Sequence, residues 1–254
     1  MRPMSSLRSS LSLALLALLT VACAAPPVRP APAPPLPLHT ATTPVPRTDV
    51  WWKERHVAIN RMVRQQRPLL LFIGDSITQG WEGAGARVWE EYYGPRQAGN
   101  LGVSGDGTEH VLWRLEHGNL DALEPDLAVL MIGTNNSGRN TPAEIADGIE
   151  AIVRVLRERV PNTQVLLLAI FPRGATLDDS QRQVNEETNR RIARLGAEEG
   201  VVFVDLTAAF VDADGVVRGE WMPDLLHFNE AGYGAWAGAL EPYLVEHLPQ
   251  RRAD

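Results

Sequence analysis

The sequence predicts a single three-layer α/β/α domain around a central parallel sheet. Two observations carry that prediction. Short, unbroken apolar runs recur along the chain, and stretches of helical periodicity separate them. Runs that are apolar at every position fit strands covered on both faces, as parallel strands are. Strand alternating with helix is the pattern of a doubly wound sheet.

The first run, "PLLLFIG" (68 to 74), ends on Gly-Asp-Ser and so places Ser76 at a strand mouth. "AGNLGV" (98 to 103) is a weaker strand, followed by "TEHVLWRLEHG" (108 to 118), a short helix with Gly118 as its C-terminal stop. "DLAVLMIG" (126 to 133) is the third strand. "TPAEIADGIEAIVRVLRERV" (141 to 160) is a clear helix. Thr141 and Glu144 have capping-box spacing, Pro142 takes the first helical position, and Ile145, Ile149, Ile152, Val153, Leu156 and Val160 draw one apolar face. "QVLLLAIF" (164 to 171) and "VVFVDL" (201 to 206) are strands flanking a less regular helix over 178 to 200. A last helix follows Asn229, its expected N-cap.

The ends of the chain read differently. Residues 1 to 23 have the build of an export signal: early arginines, the apolar stretch "LSLALLALLTVA" (11 to 22), and Cys23 after small residues. Cys23 is the only cysteine, which excludes intrachain disulfides and cysteine metal clusters. "LLTVAC" resembles a bacterial lipobox, with Thr20 where leucine is usual, so that Cys23 becomes a lipidated first residue. The other reading is cleavage after Ala24 and release of a soluble protein. A chain free of cysteine elsewhere favours the anchor.

Residues 24 to 47 carry 9 of the 19 prolines and read as an extended spacer between that anchor and a domain over 48 to 250. A net charge of −7 with no basic run argues against a nucleic-acid partner.

In doubly wound sheets, function gathers at the carboxyl ends of strands. Ser76 needs a base there. Of six histidines, His39 lies in the spacer, and His56, His110, His117 and His247 fall in expected helices. His227 instead precedes the last helix in "WMPDLLHFNEAGY" (221 to 233), with Asp224 three residues before it. That spacing can aim a carboxylate at one imidazole nitrogen and leave the other for a hydroxyl. "NLGVSGDG" (100 to 107) and "GTNNSG" (133 to 138) supply loops at the next strand mouths. The Ser76 amide, the Gly102 amide and the uncharged NH₂ of Asn135 can converge there on one oxyanion. Asp75 reads mainly as a binder of loop amides. Arg173, in "FPRG", reads equally as a substrate contact or a surface salt bridge.

The blocks "GDSITQGW", "NLGVSGDG", "GTNN" and "DLLH" resemble, in order, the four motifs of the SGNH (GDSL-type) hydrolase superfamily. The resemblance implies a flavodoxin-like fold and ester hydrolysis without a metal or other cofactor. It assigns Ser76 as nucleophile, His227 as base, Asp224 as its orienter, and Gly102 and Asn135 as oxyanion donors. Ile77 stands where the GDSL signature has leucine, and Asn136 where aspartate is common. "HVLWRLEHGNL", "DGIEAIV" and "FPRG" are further similar to the catalytic subunits of intracellular platelet-activating-factor acetylhydrolases, a group that shares the Asn136 change. The expected activity is removal of a short acyl group, acetyl first, from a carbohydrate or lipid alcohol. Longer-chain lysophospholipase or thioesterase activity, and a non-catalytic glycan- or partner-binding lipoprotein, are the alternatives. The oligomeric state is not readable from the sequence.

Overall fold

The computed structural model describes residues 34–248. The export signal, Cys23 and the first part of the spacer lie outside the described residues.

Five parallel strands form one sheet in the order β2-β1-β3-β4-β5: β1 Leu70–Gly74, β2 Ala98–Gly102, β3 Leu127–Met131, β4 Gln164–Leu168 and β5 Val201–Val204. All five expected strands are present, each trimmed to its fully paired centre. The order is that of flavodoxin-like sheets, whose switch point lies between β1 and β3. There Gly74 pairs with Gly102 on one side and Met131 on the other, so three strands end level and deliver three loops to one place.

Among the described residues, seven α-helices cover the sheet: α1 Val50–Gln66, α2 Ser76–Gln79, α3 Ala86–Tyr92, α4 Thr108–Arg114, α5 Pro142–Arg159, α6 Ser180–Ile192 and α7 Glu230–His247. Successive strand side chains point to opposite faces. Leu71, Ile73, Leu101, Leu130 and Leu167 therefore pack with α1, α4, α5 and α6. Leu70, Phe72, Val129, Met131 and Leu168 pack with α3 and α7 around Trp81, Tyr93 and Trp236. Covering both faces is why these strands carry no polar alternation.

The local signals act as their chemistry requires. Thr141 and Glu144 form the capping box of α5, and the Asn229 side chain accepts the Gly232 amide to start α7. α4 ends sooner than expected: the backbone leaves helical geometry at His117 and Gly118, the latter at φ +113.

The spacer does not stay free to residue 47. The compact unit begins at Leu36. Ala41 is fully buried and its carbonyl accepts the Thr108 hydroxyl at 2.8 Å. Asn140 donates to the Thr40 hydroxyl at 2.7 Å, and the Val45 amide donates to the Glu109 carbonyl at 3.2 Å. Proline fixes an extended backbone but does not keep it off a surface. Here residues 36–47 lie across the domain as a strap.

Among the described residues no helix is long and apolar enough to cross a membrane, and no cluster of three His, Cys, Asp or Glu side chains is arranged around a metal position.

Candidate active site

β1 delivers Ser76 as the first residue of α2. The Asp75 carboxylate caps that helix by accepting the Ile77 amide at 3.0 Å, and the Tyr233 hydroxyl donates to the Ile77 carbonyl at 2.7 Å. α2 is thereby fixed between the sheet and α7.

His227 reaches Ser76 from the loop before α7. Its Nε2 lies 2.8 Å from the Ser76 Oγ, and its Nδ1 lies 2.7 Å from Asp224 Oδ2. The other carboxylate oxygen of Asp224 accepts the Leu226 and His227 amides at 3.1 and 2.7 Å. Leu225 adopts a left-handed conformation, φ 59, to close this turn. Such a residue is strained by about 1–2 kcal/mol. The turn is tied down where the Gly174 amide donates to the Leu225 carbonyl at 3.0 Å. Burial pushes the Asp224 carboxyl up, but hydrogen bonds from the His227 ring and from the two amides outweigh it and hold Asp224 below the usual carboxylate range. Asp224 therefore stays ionised beside the imidazole.

The loop after β2 leaves a different amide free from the expected one. The Gly102 amide donates to Asn100 Oδ1 at 2.8 Å, and the Asn100 Nδ2 donates in turn to the Thr78 carbonyl at 3.0 Å. Gly102 is therefore a close-packing residue rather than an oxyanion donor. A Cβ there would sit 2.3 Å from the Gln79 nitrogen. The neighbouring amides are also engaged. Val103 donates to the Gly74 carbonyl, Ser104 to Gln79 Oε1, Asp106 to the Val103 carbonyl, Gly107 to His110 Nδ1 and Thr108 to Asn136 Oδ1. Gly105, at φ +75, is the one residue of this loop whose N–H has no acceptor among the described residues. Glycine accepts that backbone conformation without strain.

Asn135 follows β3 as expected. One hydrogen of its Nδ2 goes to the Asp106 carbonyl at 2.9 Å, which sets the amide beside Gly105 and leaves the second hydrogen free. The Asp106 side chain is itself clamped below the loop. Its two oxygens accept from Trp52 Nε1 and Arg114 Nε, both at 2.7 Å, and the Asp106–Arg114 pair is fully buried.

The remaining histidines keep to structural positions. His56 stacks on Trp52, His117 stacks on Trp113, and His110 accepts the Gly107 amide at the start of α4. Arg173 forms no ion pair among the described residues. Its guanidinium donates to the Thr134 hydroxyl at 3.1 Å, one residue from Asn135. Asp75 is fully buried. Burial first, then the Asp106 charge, pushes its carboxyl up to about 7 against the Ile77 amide, which favours ionisation.

The model of the GDSL-like Lipase/Acylhydrolase family matches residues 72–235, a span that contains every one of these side chains except Trp52 and His56. The chain belongs to that family. It is an ester hydrolase of the GDSL type, with relatives of the platelet-activating-factor acetylhydrolase kind. It is 36% identical over 217 residues to platelet-activating factor acetylhydrolase IB subunit alpha1 of Homo sapiens, covering 83% of this chain and 91% of that protein. It is 34% identical to the alpha2 subunit of Rattus norvegicus, over 78% of this chain and 86% of the other. Solved structures that share its fold include the following two. A GDSL-like lipase of Bacteroides thetaiotaomicron has a TM-score of 0.64 at 19% identity, covering 77% of this chain and 98% of its own. An acetylxylan esterase of Geobacillus stearothermophilus has a TM-score of 0.56 at 22% identity, covering 73% and 96%.

Proposed function

We propose that the protein removes short acyl groups, acetyl first, from an alcohol through an acyl-enzyme on Ser76. The hydrogen-bonded chain Ser76 Oγ to His227 Nε2 to Asp224, at 2.8 and 2.7 Å, carries this reading. His227 takes the hydroxyl proton as Oγ bonds to the ester carbonyl carbon. The carbonyl oxygen becomes an oxyanion held by the Ser76 N–H, the Gly105 N–H and the free hydrogen of Asn135. As the tetrahedral intermediate collapses, the bond to the alcohol oxygen breaks and His227 returns its proton to that oxygen. Water then repeats the sequence: it attacks the acyl carbon, His227 takes its proton, and Oγ leaves reprotonated. Asp224 holds the ring with Nε2 toward serine and offsets the imidazolium charge.

The preference for acetyl is supported by the name and extent of the 36%-identical relative, an acetylhydrolase aligned over 91% of its length. Hydrolysis of p-nitrophenyl esters of rising chain length tests the reading. Acetate is turned over fastest, and Ser76→Ala removes both turnover and labelling by a serine-directed phosphonate. Retention of most of the activity in Ser76→Ala overturns it. We further place the protein at the bacterial envelope, on the leader-like residues 1 to 23. Cys23→Ser should move it from the membrane to the soluble fraction.

A further inference from the structure

Gly105 and Asn135, two of the proposed oxyanion donors, also line a cleft of about 600 Å³. The strap contributes Thr40, Thr43, Val45 and Arg47 to its lining, and Glu109 and Arg139 line it as well. We infer that this cleft is the alcohol subsite of the ester hydrolase proposed above, completed by the strap, and that it receives a neutral, hydroxyl-rich saccharide. The inference rests on that ester-hydrolase reading.

Size and chemistry both argue for it. The volume lies in the range that takes a ligand of drug size, far more than an acetyl group occupies. For an acetyl ester whose carbonyl oxygen rests on Gly105 and Asn135, the acyl methyl is too small to fill this space, so the group that enters it is the alcohol. The cleft's two guanidiniums are already paired: Arg47 with Asp49 at 3.1 Å, Arg139 with Glu109. No unmatched cation is left to draw a phosphate. Val45 is the one aliphatic side chain of the lining. Hydroxyls, the Asn135 amide and guanidinium edges instead present donors and acceptors of both kinds, as sugar hydroxyls require. Burial also lowers the pKa of the lining His110, which favours its neutral form.

The strap wall is held in place rather than loosely draped. Besides the contacts of Thr40, Ala41 and Val45, Arg47 Nη1 donates to the Ser104 carbonyl at 3.0 Å, and His39 Nε2 lies 3.3 Å from Asp147 Oδ2. The Val45 and Thr43 side chains are exposed, so a larger side chain at either enters the cleft without disturbing the core.

The test measures kcat/KM on acetylated xylotriose, on p-nitrophenyl acetate, and on an acetylated ether phosphatidylcholine in mixed micelles. The wild type should turn over the acetylated xylotriose and prefer it to the phospholipid. In Val45→Trp and Thr43→Trp, the ratio of kcat/KM for the saccharide to that for p-nitrophenyl acetate should fall about tenfold or more, chiefly through KM. That is the scale expected when a group is shut out of a pocket. Val57→Trp, exposed on α1, should keep the wild-type ratio. Urea midpoints check that each variant folds. Turnover of p-nitrophenyl acetate without turnover of the saccharide overturns the subsite while leaving the esterase reading intact. So does preference for the phospholipid, or an unchanged ratio in both cleft variants. Absence of turnover on all three substrates, or turnover that Ser76→Ala leaves unchanged, marks failure of the esterase reading itself.

Discussion

Replacing Arg114 with methionine should cost roughly 3–5 kcal/mol of stability, the usual consequence of removing one partner of a buried ion pair. Methionine fills most of the space of the arginine stem but offers no donor. Arg114 is fully buried and donates to Asp106 Oδ2, to the Leu101 carbonyl at 3.0 Å, to Asn119 Oδ1 at 2.7 Å and to the Gly74 carbonyl at 3.4 Å. Without it, the Asp106 carboxylate remains fully buried with Trp52 Nε1 as its one side-chain donor. Against a total stability of about 5–15 kcal/mol the loss is large. At about 2–4 °C per kcal/mol for a domain of this size, Tm should fall by roughly 6–20 °C. Urea unfolding measures it. Asp106→Asn in the Arg114→Met background removes the stranded charge while keeping an acceptor for Trp52, so the double variant should recover about half the loss. A single-variant cost below about 1 kcal/mol, or a double variant no more stable than the single, would refute the account of this pair. Activity gives a second readout. The Asp106 carbonyl positions Asn135, so folded Arg114→Met should lose kcat more than it gains KM.

Asn135→Ala should lower kcat on p-nitrophenyl acetate by about 10²–10³, and lose about 1 kcal/mol in urea with its bond to the Asp106 carbonyl. Gly102→Ala should fail through folding, because its Cβ meets backbone at 2.3 Å. Its unfolding midpoint, measured beside that of Asn135→Ala, separates packing from oxyanion contact. For Asp75, raised from 3.8 to about 7, the unfolded chain ionises first as pH rises while the folded chain keeps its proton. Stability from this group is therefore full below about pH 4 and is lost toward pH 7, by roughly 4 kcal/mol at 1.36 kcal/mol per unit. Asp75→Asn, which keeps the cap on Ile77, should gain on the wild type as pH rises through that window. A flat difference between the two in urea denaturation at pH 4, 6 and 8 would sink the assignment. Thr141→Ala should remove the α5 cap and about 1 kcal/mol, read in the same way.

The sheet was legible because burial on both faces leaves an unmistakable composition: "LLLFI", "LAVLMI" and "VLLLAI" admit few other placements. The hydrogen-bonded chain of Ser76, His227 and Asp224 was legible for a different reason. Two of its members share one short loop, and the third stands at a strand mouth, so few spatial facts were needed to join them. The Asp106–Arg114 clamp was missed although a signal exists. Arg114 falls among Val111, Leu112 and Leu115 on the buried face of α4, and a cation there calls for a buried anion.

The two corrections have a common physical origin. Gly102 and Gly105 are indistinguishable as letters in "NLGVSGDG", since each offers one N–H and neither shows where it points. The direction is set by Asn100, whose side chain turns back to take the Gly102 amide and hold α2. Gly105, left-handed at φ +75, keeps its own amide without an acceptor among the described residues, one residue before the carbonyl that Asn135 binds. The strap escaped composition in the same way. Proline density reports that a segment forms no ladder of its own, whereas docking depends on whether distant groups such as Thr108 and Asn140 offer it hydrogen bonds. Local sequence encodes backbone shape, while hydrogen-bond direction at a strand mouth is a property of the assembled loops. The proposed alcohol subsite depends on the second, because its lining comes from the strap and from loops that the strap meets only after folding.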